Sequence, residues 1–289
     1  MFADKDIVEM LQTKFIAVAI DQAYQRRQKD NEGEFYRKIA GQGPRKDFQG
    51  TTQGLYIAEA SGKLLTFTNN RSADRLKPAL RAALAKARPE KTENIEAGKE
   101  DPRWNVKPPA GGLVVRVRAK VLGGYEPTED YWKQIFQKGL SRDNLWISAA
   151  EHKDLVAGKF SPSLRQRIAR FHLVDNTRGE PPMWAESEVQ KIQMTIKDGK
   201  IQGMASLKAK SADRSFDATL LGLLEAKDGK VTRFDVVVKG NFQGEGPFTR
   251  GAPKGRFPLA ISFELSDGTD VADRIPPQAS RGWLQGYIR

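Results

Sequence analysis

The chain has no cysteine and only two histidines, His152 and His172. The first absence excludes thiol nucleophiles, disulfides, iron–sulfur ligation and every CxxC redox or zinc motif. The second excludes a site built from several imidazoles of one chain, while a carboxylate-rich calcium or magnesium site stays open. No apolar run approaches the roughly 20 residues that a membrane-spanning helix needs. The opening MFADKDIVEM carries acids and no apolar core, so it does not read as a signal peptide. Basic residues are in excess, with a net charge of +12, but no segment concentrates them. The excess is +4 over residues 1 to 100, +5 over 101 to 200 and +3 over 201 to 289. Nucleic-acid binders gather such charge on an arm or stripe, and none of the five tryptophans lies in a base-stacking motif, so nucleic acid is not the expected partner. A loose affinity for polyanionic ligands or surfaces is the expected consequence of the charge.

What is present describes a globular protein of about two domains, given 289 residues, 39% hydrophobic and 29% charged. Residues 4 to 14 read as an amphipathic helix, with Ile7, Met10 and Leu11 at helical spacing and capping-box spacing from Asp6 to Glu9. Phe15 to Ile20 is a short apolar run, the pattern of a strand buried on both faces in a partly parallel sheet. A helix is predicted from about Gln25 to Ala40, then a hairpin of Gln53–Ala60 and Lys63–Thr68 about Ser61-Gly62. A helix over Asp74 to Ala87 follows, with Ser72 as its cap and a stripe of Leu76, Leu80 and Leu84.

Phe2-Ala-Asp4, the run Phe15 to Asp21 and the hairpin ending Gly62-Lys-Leu-Leu65 together carry a family likeness. In this order of helix, strand, helix, hairpin and helix, residues 1 to 88 resemble the thioredoxin-like superfamily after its first strand. The resemblance implies a redox CxxC motif near the first helix and a cis-proline before the hairpin. This chain has neither, and Thr51-Thr52-Gln53 fills the proline's place. No redox residue is therefore carried over. The whole chain also resembles a join between such a module and an uncharacterised bacterial β-rich domain, which implies no particular activity.

Residues 89 to 111, ending PRWNVKPPAGG, read as a linker. The second domain is expected over 112 to 289. It opens on an alternating strand, Leu113 to Val121, and continues into a helical insert at about 127 to 172. There Thr128 would cap a helix bearing Tyr131, Trp132, Ile135 and Phe136, a second helix would lie near Ala149 to Ala157, and Ser161-Pro162 would start a third. From Gln190 the apolar period becomes two, with strong hairpin signals at Asp198-Gly199 and Asp228-Gly229. The expected class is thus α+β: a thioredoxin-like module joined to a mostly antiparallel, curled or barrel-like sheet of five or more strands.

Chemistry concentrates in one segment, RFHLVDNTRGEPPMW, from Arg170 to Trp184. In a catalytic reading His172 carries a proton, Asp175 orients it and Arg178 holds an anionic group, with Glu180 as a further acid. In a structural reading Asp175-Asn176 starts an Asx turn, Gly179 relaxes the chain, and Pro181-Pro182 stiffens it toward Trp184. The closing run from Ile275 to Ile288 repeats the Pro-Pro-aromatic pattern. A ligand groove lined by Trp184, Trp283 and Tyr287, with Asn176 nearby, is therefore one expectation, and a C-terminal segment sealing the core is the other. Asp267, Asp270 and Asp273 lack full EF-hand spacing and read as a turn, and no cofactor or metal is expected. The leading functional expectation is a non-catalytic interaction or ligand-binding protein with a protein or small-molecule partner. The alternatives are a hydrolase or transferase centred on His172, Asp175 and Arg178, and an oxidoreductase whose thiols lie upstream of this chain. Lack of cysteine with a basic balance is compatible with export, the signal segment then lying outside this chain.

Overall fold

The computed structural model describes residues 4–88, 98–280 and 284–288, and the chain divides into two compact units, Met1–Val106 and Lys107–Arg289. It mixes helix and strand, with one antiparallel sheet of seven strands and one of two.

In the first unit, α1 (Lys5–Lys14) is capped by Asp4, whose carboxylate accepts from the Ile7 amide at 3.3 Å. The predicted helix over 25 to 40 is broken into α2 (Gln22–Gln25) and α3 (Asn31–Ala40). The break has two causes. Asp30 caps the second helix through the Gly33 amide at 3.0 Å, and a Cβ on Gly33 would lie 2.3 Å from the Gln28 carbonyl oxygen, so the chain turns tightly there. The hairpin forms as β1 (Leu55–Ala58) and β2 (Leu64–Thr68), followed by α4 (Ala73–Lys86). Ser72 takes the N-cap position of α4, but its hydroxyl makes no capping bond. Ile7, Ile57, Leu76, Leu80 and Ala83 form the core, whereas Leu84 is exposed. Residues 101 to 104, read above as linker, pack into this unit. The Asp101 carboxylate accepts from the Lys29 amide at 2.9 Å, and Trp104 meets the Tyr24 ring edge-on at 6.1 Å.

The run Phe15 to Ile20 departs from expectation. It belongs to no strand, and Ile16 is 94% and Val18 75% exposed. A strand is stabilised by a neighbouring ladder, and the sheet in this unit is the β1–β2 pair. Of the run, Phe15 packs against the core of the unit, while residues 16 to 20 are exposed.

In the second unit the strands are β3 (Leu113–Val121), β4 (Asp143–Ile147), β5 (Val189–Lys197), β6 (Lys200–Lys208), β7 (Ser215–Lys227), β8 (Lys230–Gln243) and β9 (Arg256–Leu265). Their order in the curled sheet is β4-β3-β9-β8-β7-β6-β5, antiparallel throughout. Asp198-Gly199 and Asp228-Gly229 form the expected two-residue turns, with φ of 49° and 71° at the first and 53° and 74° at the second. Period-two alternation buries Phe216, Leu220, Phe234, Val238, Phe257, Ile261 and Phe263 on one face. Each such side chain contributes roughly 1.5–3 kcal/mol on removal from water.

Helices α5 (Tyr131–Lys138), α6 (Ala149–Val156) and α7 (Pro162–Arg167) come from the predicted insert. Asp130 rather than Thr128 caps α5, accepting from the Lys133 amide at 2.9 Å. Ser148 and Glu151 form a full capping box on α6. β4 lies inside the segment expected to be helical and pairs with β3, Leu145 opposite Val115. The chain closes on α8 (Leu284–Ile288), a helix where a strand was one expectation.

Candidate functional site

Ser161 accepts from the Leu164 amide at 3.1 Å and Pro162 occupies the first turn, so α7 starts where the sequence predicts. The helix then widens into a π turn over Ile168–His172, closed by the Leu173 amide donating to the Ile168 carbonyl at 3.0 Å. Such turns reset the direction of side chains relative to the preceding helix. Here the turn carries Phe171 and His172 into the core beside α8. Phe171 lies 5.4 Å from the Tyr287 ring, and His172 is 2% exposed.

His172 is held from both sides. Its Nε2 lies 2.5 Å from the Tyr287 hydroxyl, and its Nδ1 faces an Asp143 carboxylate oxygen at 3.4 Å. Burial pushes the Tyr287 hydroxyl well above its usual range, and the Asp143 charge adds to the effect, so the phenol stays protonated. The Tyr287 hydroxyl and Nε2 share one hydrogen bond, while Nδ1 is buried beside Asp143 without a hydrogen bond. The other Asp143 oxygen accepts from the amides of Asn144 at 2.8 Å and Gln278 at 3.0 Å. The side chains that flank His172 are therefore Tyr287 and Asp143, not Asp175.

Behind this chain lies a buried ion pair. Arg167 Nη1 donates to Glu151 at 2.6 Å, while Nε and Nη2 donate to the carbonyls of Tyr287 and Ile288 at 2.5 Å each. Burial raises the Glu151 carboxyl, and the bond to Arg167, its charge, the Ser148 amide and the Ser163 hydroxyl outweigh that, holding it below the ordinary value. The carbonyls at the end of α8 thus find their donors in a guanidinium rather than in water.

The remaining predicted residues separate from His172. Asp175 accepts from the Thr177 amide at 3.1 Å and hydroxyl at 2.7 Å, the expected Asx turn, and faces Arg178 at 2.7 Å. Arg178 is buried: Nε donates to the Thr249 carbonyl at 3.0 Å and Nη1 to the Tyr125 hydroxyl at 3.1 Å, while Nη2 meets Asp175 as an ion pair without a hydrogen bond. Asn176 and Glu180 are half-buried in the same loop, where Gly179 is needed because a Cβ would lie 2.3 Å from the Phe248 carbonyl oxygen. The expected groove does not open. Trp184 is 1% exposed, donates to the Leu173 carbonyl at 2.8 Å, and has the Arg214 guanidinium 3.9 Å above its ring. Tyr287 is wholly buried, and Trp283 lies outside the described residues. Arg170 to Trp184 and the C-terminal segment do meet, through Phe171, His172 and Tyr287, and there they seal the core.

Sequence reasoning missed Asp143, Glu151, Arg167 and Arg214. One signal was available: Leu164, Arg167 and Ile168 share a helix face, and Leu164 and Ile168 are core residues. Asp143 had none, being 29 positions from His172 on another element. The acids Asp267, Asp270 and Asp273 are bound to Arg116 and Arg142 in ion pairs of 2.5 to 2.8 Å, which offset two of their three charges. No group of three or more metal-ligating side chains occurs among the described residues. No helix among them is long and apolar enough to cross a membrane. A shallow depression of about 450 Å³ on the sheet's outer face is lined by Lys191, Met204, Ser206, Asp217, Thr219 and Lys239 among others, and shares no residue with the His172 cluster. Comparison with protein-family models, curated proteins and solved structures finds no match to this chain.

Proposed function

We propose that this protein is a non-catalytic interaction protein, binding through exposed apolar surface rather than through a reactive side chain. One contrast carries the reading. The residues with catalytic character are buried and engaged by one another, whereas α5 presents Tyr131, Trp132 and Ile135 to solvent at 68%, 60% and 38% exposure. A general base must reach a substrate proton, and His172, 2% exposed, has Tyr287 and Asp143 on its two nitrogens. The α5 face suits contact with a partner. Tyr131 and Trp132 meet edge to face at 5.6 Å, forming a rigid aromatic platform that loses little side-chain entropy on binding. Phe136, packed against Gly251, fixes the helix from its other side. A thioredoxin-like plan for the first unit keeps its helices and hairpin but lacks the expected strand at residues 15 to 20; without thiols, its surface is what such a module has left to use.

The test places a photo-crosslinking phenylalanine analogue at Trp132 and, as a control, at exposed Thr195 of β5, with both chains expressed in the cells that make the protein. A discrete adduct at position 132 that is absent at 195, and reduced by Ile135→Asp, is the expected result. Equal labelling at both positions contradicts the reading. So does turnover of any substrate in a broad panel that a folded His172→Gln variant loses.

A further inference from the structure

We infer that residues 16 to 20 form a self-pairing strand that joins two copies of this chain, antiparallel about Val18. The inference rests on the first unit alone and is independent of the α5 surface. Residues 16 to 20 are all exposed, contain no turn or bend, and make no hydrogen bond among the described residues. The residues at either end, Phe15 and Asp21, have extended backbone angles, with φ and ψ of −132° and 158°, and −82° and 100°. The segment is therefore an exposed stretch whose amides and carbonyls are open to pairing and whose side chains are apolar. It lacks the lysines, prolines and bulges that normally blunt such edges.

The sequence states which partner fits. Residues 16 to 20 read Ile-Ala-Val-Ala-Ile, the same in both directions. In an antiparallel ladder centred on Val18, Ile16 meets Ile20 of the second copy, Ala17 meets Ala19, and Val18 meets Val18. Residues alternate between faces, so Ile16, Val18 and Ile20 make one branched apolar stripe and the two alanines a flat one. Beyond the palindrome, Lys14 stands opposite Gln22 and Phe15 opposite Asp21, so no like charges oppose. A one-residue slip sets isoleucine against alanine, and a two-residue slip sets Ile20 against Lys14; both waste the match. A two-fold pairing needs one self-complementary patch, which a palindromic strand supplies by itself. Five residues bury little surface, so the association is weak and depends on concentration.

Sedimentation equilibrium of the full chain over a wide concentration range tests this, using wild type, V18K, V18E and an equal mixture of the two variants. Val18 is 75% exposed, so both variants should keep the fold, as checked by circular dichroism. Wild type should show a monomer–dimer equilibrium, each variant alone should dimerise about tenfold more weakly or worse, and the mixture should recover. Amide exchange at alternate residues within 16 to 20 should slow in step with the dimer fraction. A wild type that stays monomeric, variants that dimerise as wild type does, a mixture that does not recover, or assembly that grows without limit each overturns the inference. Protection of 16 to 20 only when a different protein is added overturns it too, in favour of a foreign strand.

Discussion

In β9, Phe257, Leu259, Ile261 and Phe263 alternate with more exposed residues and are buried; in the first unit, Ile16, Val18 and Ile20 alternate with alanines and stand in water. Both stretches have the composition and period of a strand. β9 lies between β3 and β8 and is hydrogen-bonded on both sides, whereas residues 16 to 20 have no ladder on either. Composition licenses a strand, and a neighbour makes one. The same holds for the polar groups of the second unit, where Arg167 with Glu151 and His172 with Tyr287 take their partners from distant elements inside the core.

The comparison is broken most severely by removing the inner braces. Arg167→Ala leaves Glu151 buried without its cation and takes the donors from two carbonyls of α8, so denaturant unfolding should show a loss of about 3–5 kcal/mol in the second unit. The transition of the first unit should not move. Next comes Ile7→Ala, which deletes a wholly buried side chain between α1 and α4, and should cost the first unit about 2–4 kcal/mol by the same measurement. Tyr287→Phe leaves the ring and takes only the hydroxyl from His172. A loss of about 1–2 kcal/mol is expected, with the near-ultraviolet signal of the packed aromatics largely kept.

Acid should act on the second unit through its paired carboxylates. Asp267 is held at about 2 by the Thr269 amide first, then by the Thr269 hydroxyl and Arg116; Asp273 is lowered chiefly by its bonds to Arg116. A carboxyl lowered in the folded state stabilises it above the unfolded value and loses that contribution as pH falls through the folded one. Thermal stability of the second unit should therefore fall between pH 3.8 and about 2, and Arg116→Gln should flatten that fall. The smallest effect sharpens the comparison from its other side. Ile16→Ala, nine residues from Ile7 and 94% exposed, should change stability by less than about 0.5 kcal/mol when measured in dilute solution.

Much of the second unit was legible because its signals are local. Asp198-Gly199 and Asp228-Gly229 fix their turns through their own backbone preferences, and Ser161-Pro162 starts α7 in the same way. β4 was not legible, because Asn144, Leu145, Trp146 and Ile147 are all buried and give no alternation to read. The segment from Arg170 to Trp184 gathers chemistry-bearing residues in sequence, but spacing along the chain could not say which of them meet. Asp175 finds Thr177 and Arg178 within three residues, while His172 turns on the π turn toward Asp143 and Tyr287 from distant elements. Trp184, which a groove would have exposed, is covered by Arg214.

The central claim is that His172 is a closed structural brace and not a working base. Acylation of histidine by diethyl pyrocarbonate, followed residue by residue by mass spectrometry in native and denaturing buffer, tests it most directly. His172 should remain unmodified in the native protein and react only at the denaturant concentration that unfolds the second unit. Reaction in native buffer at the rate of a free imidazole would mean that a path from solvent reaches Nε2, and would contradict the account.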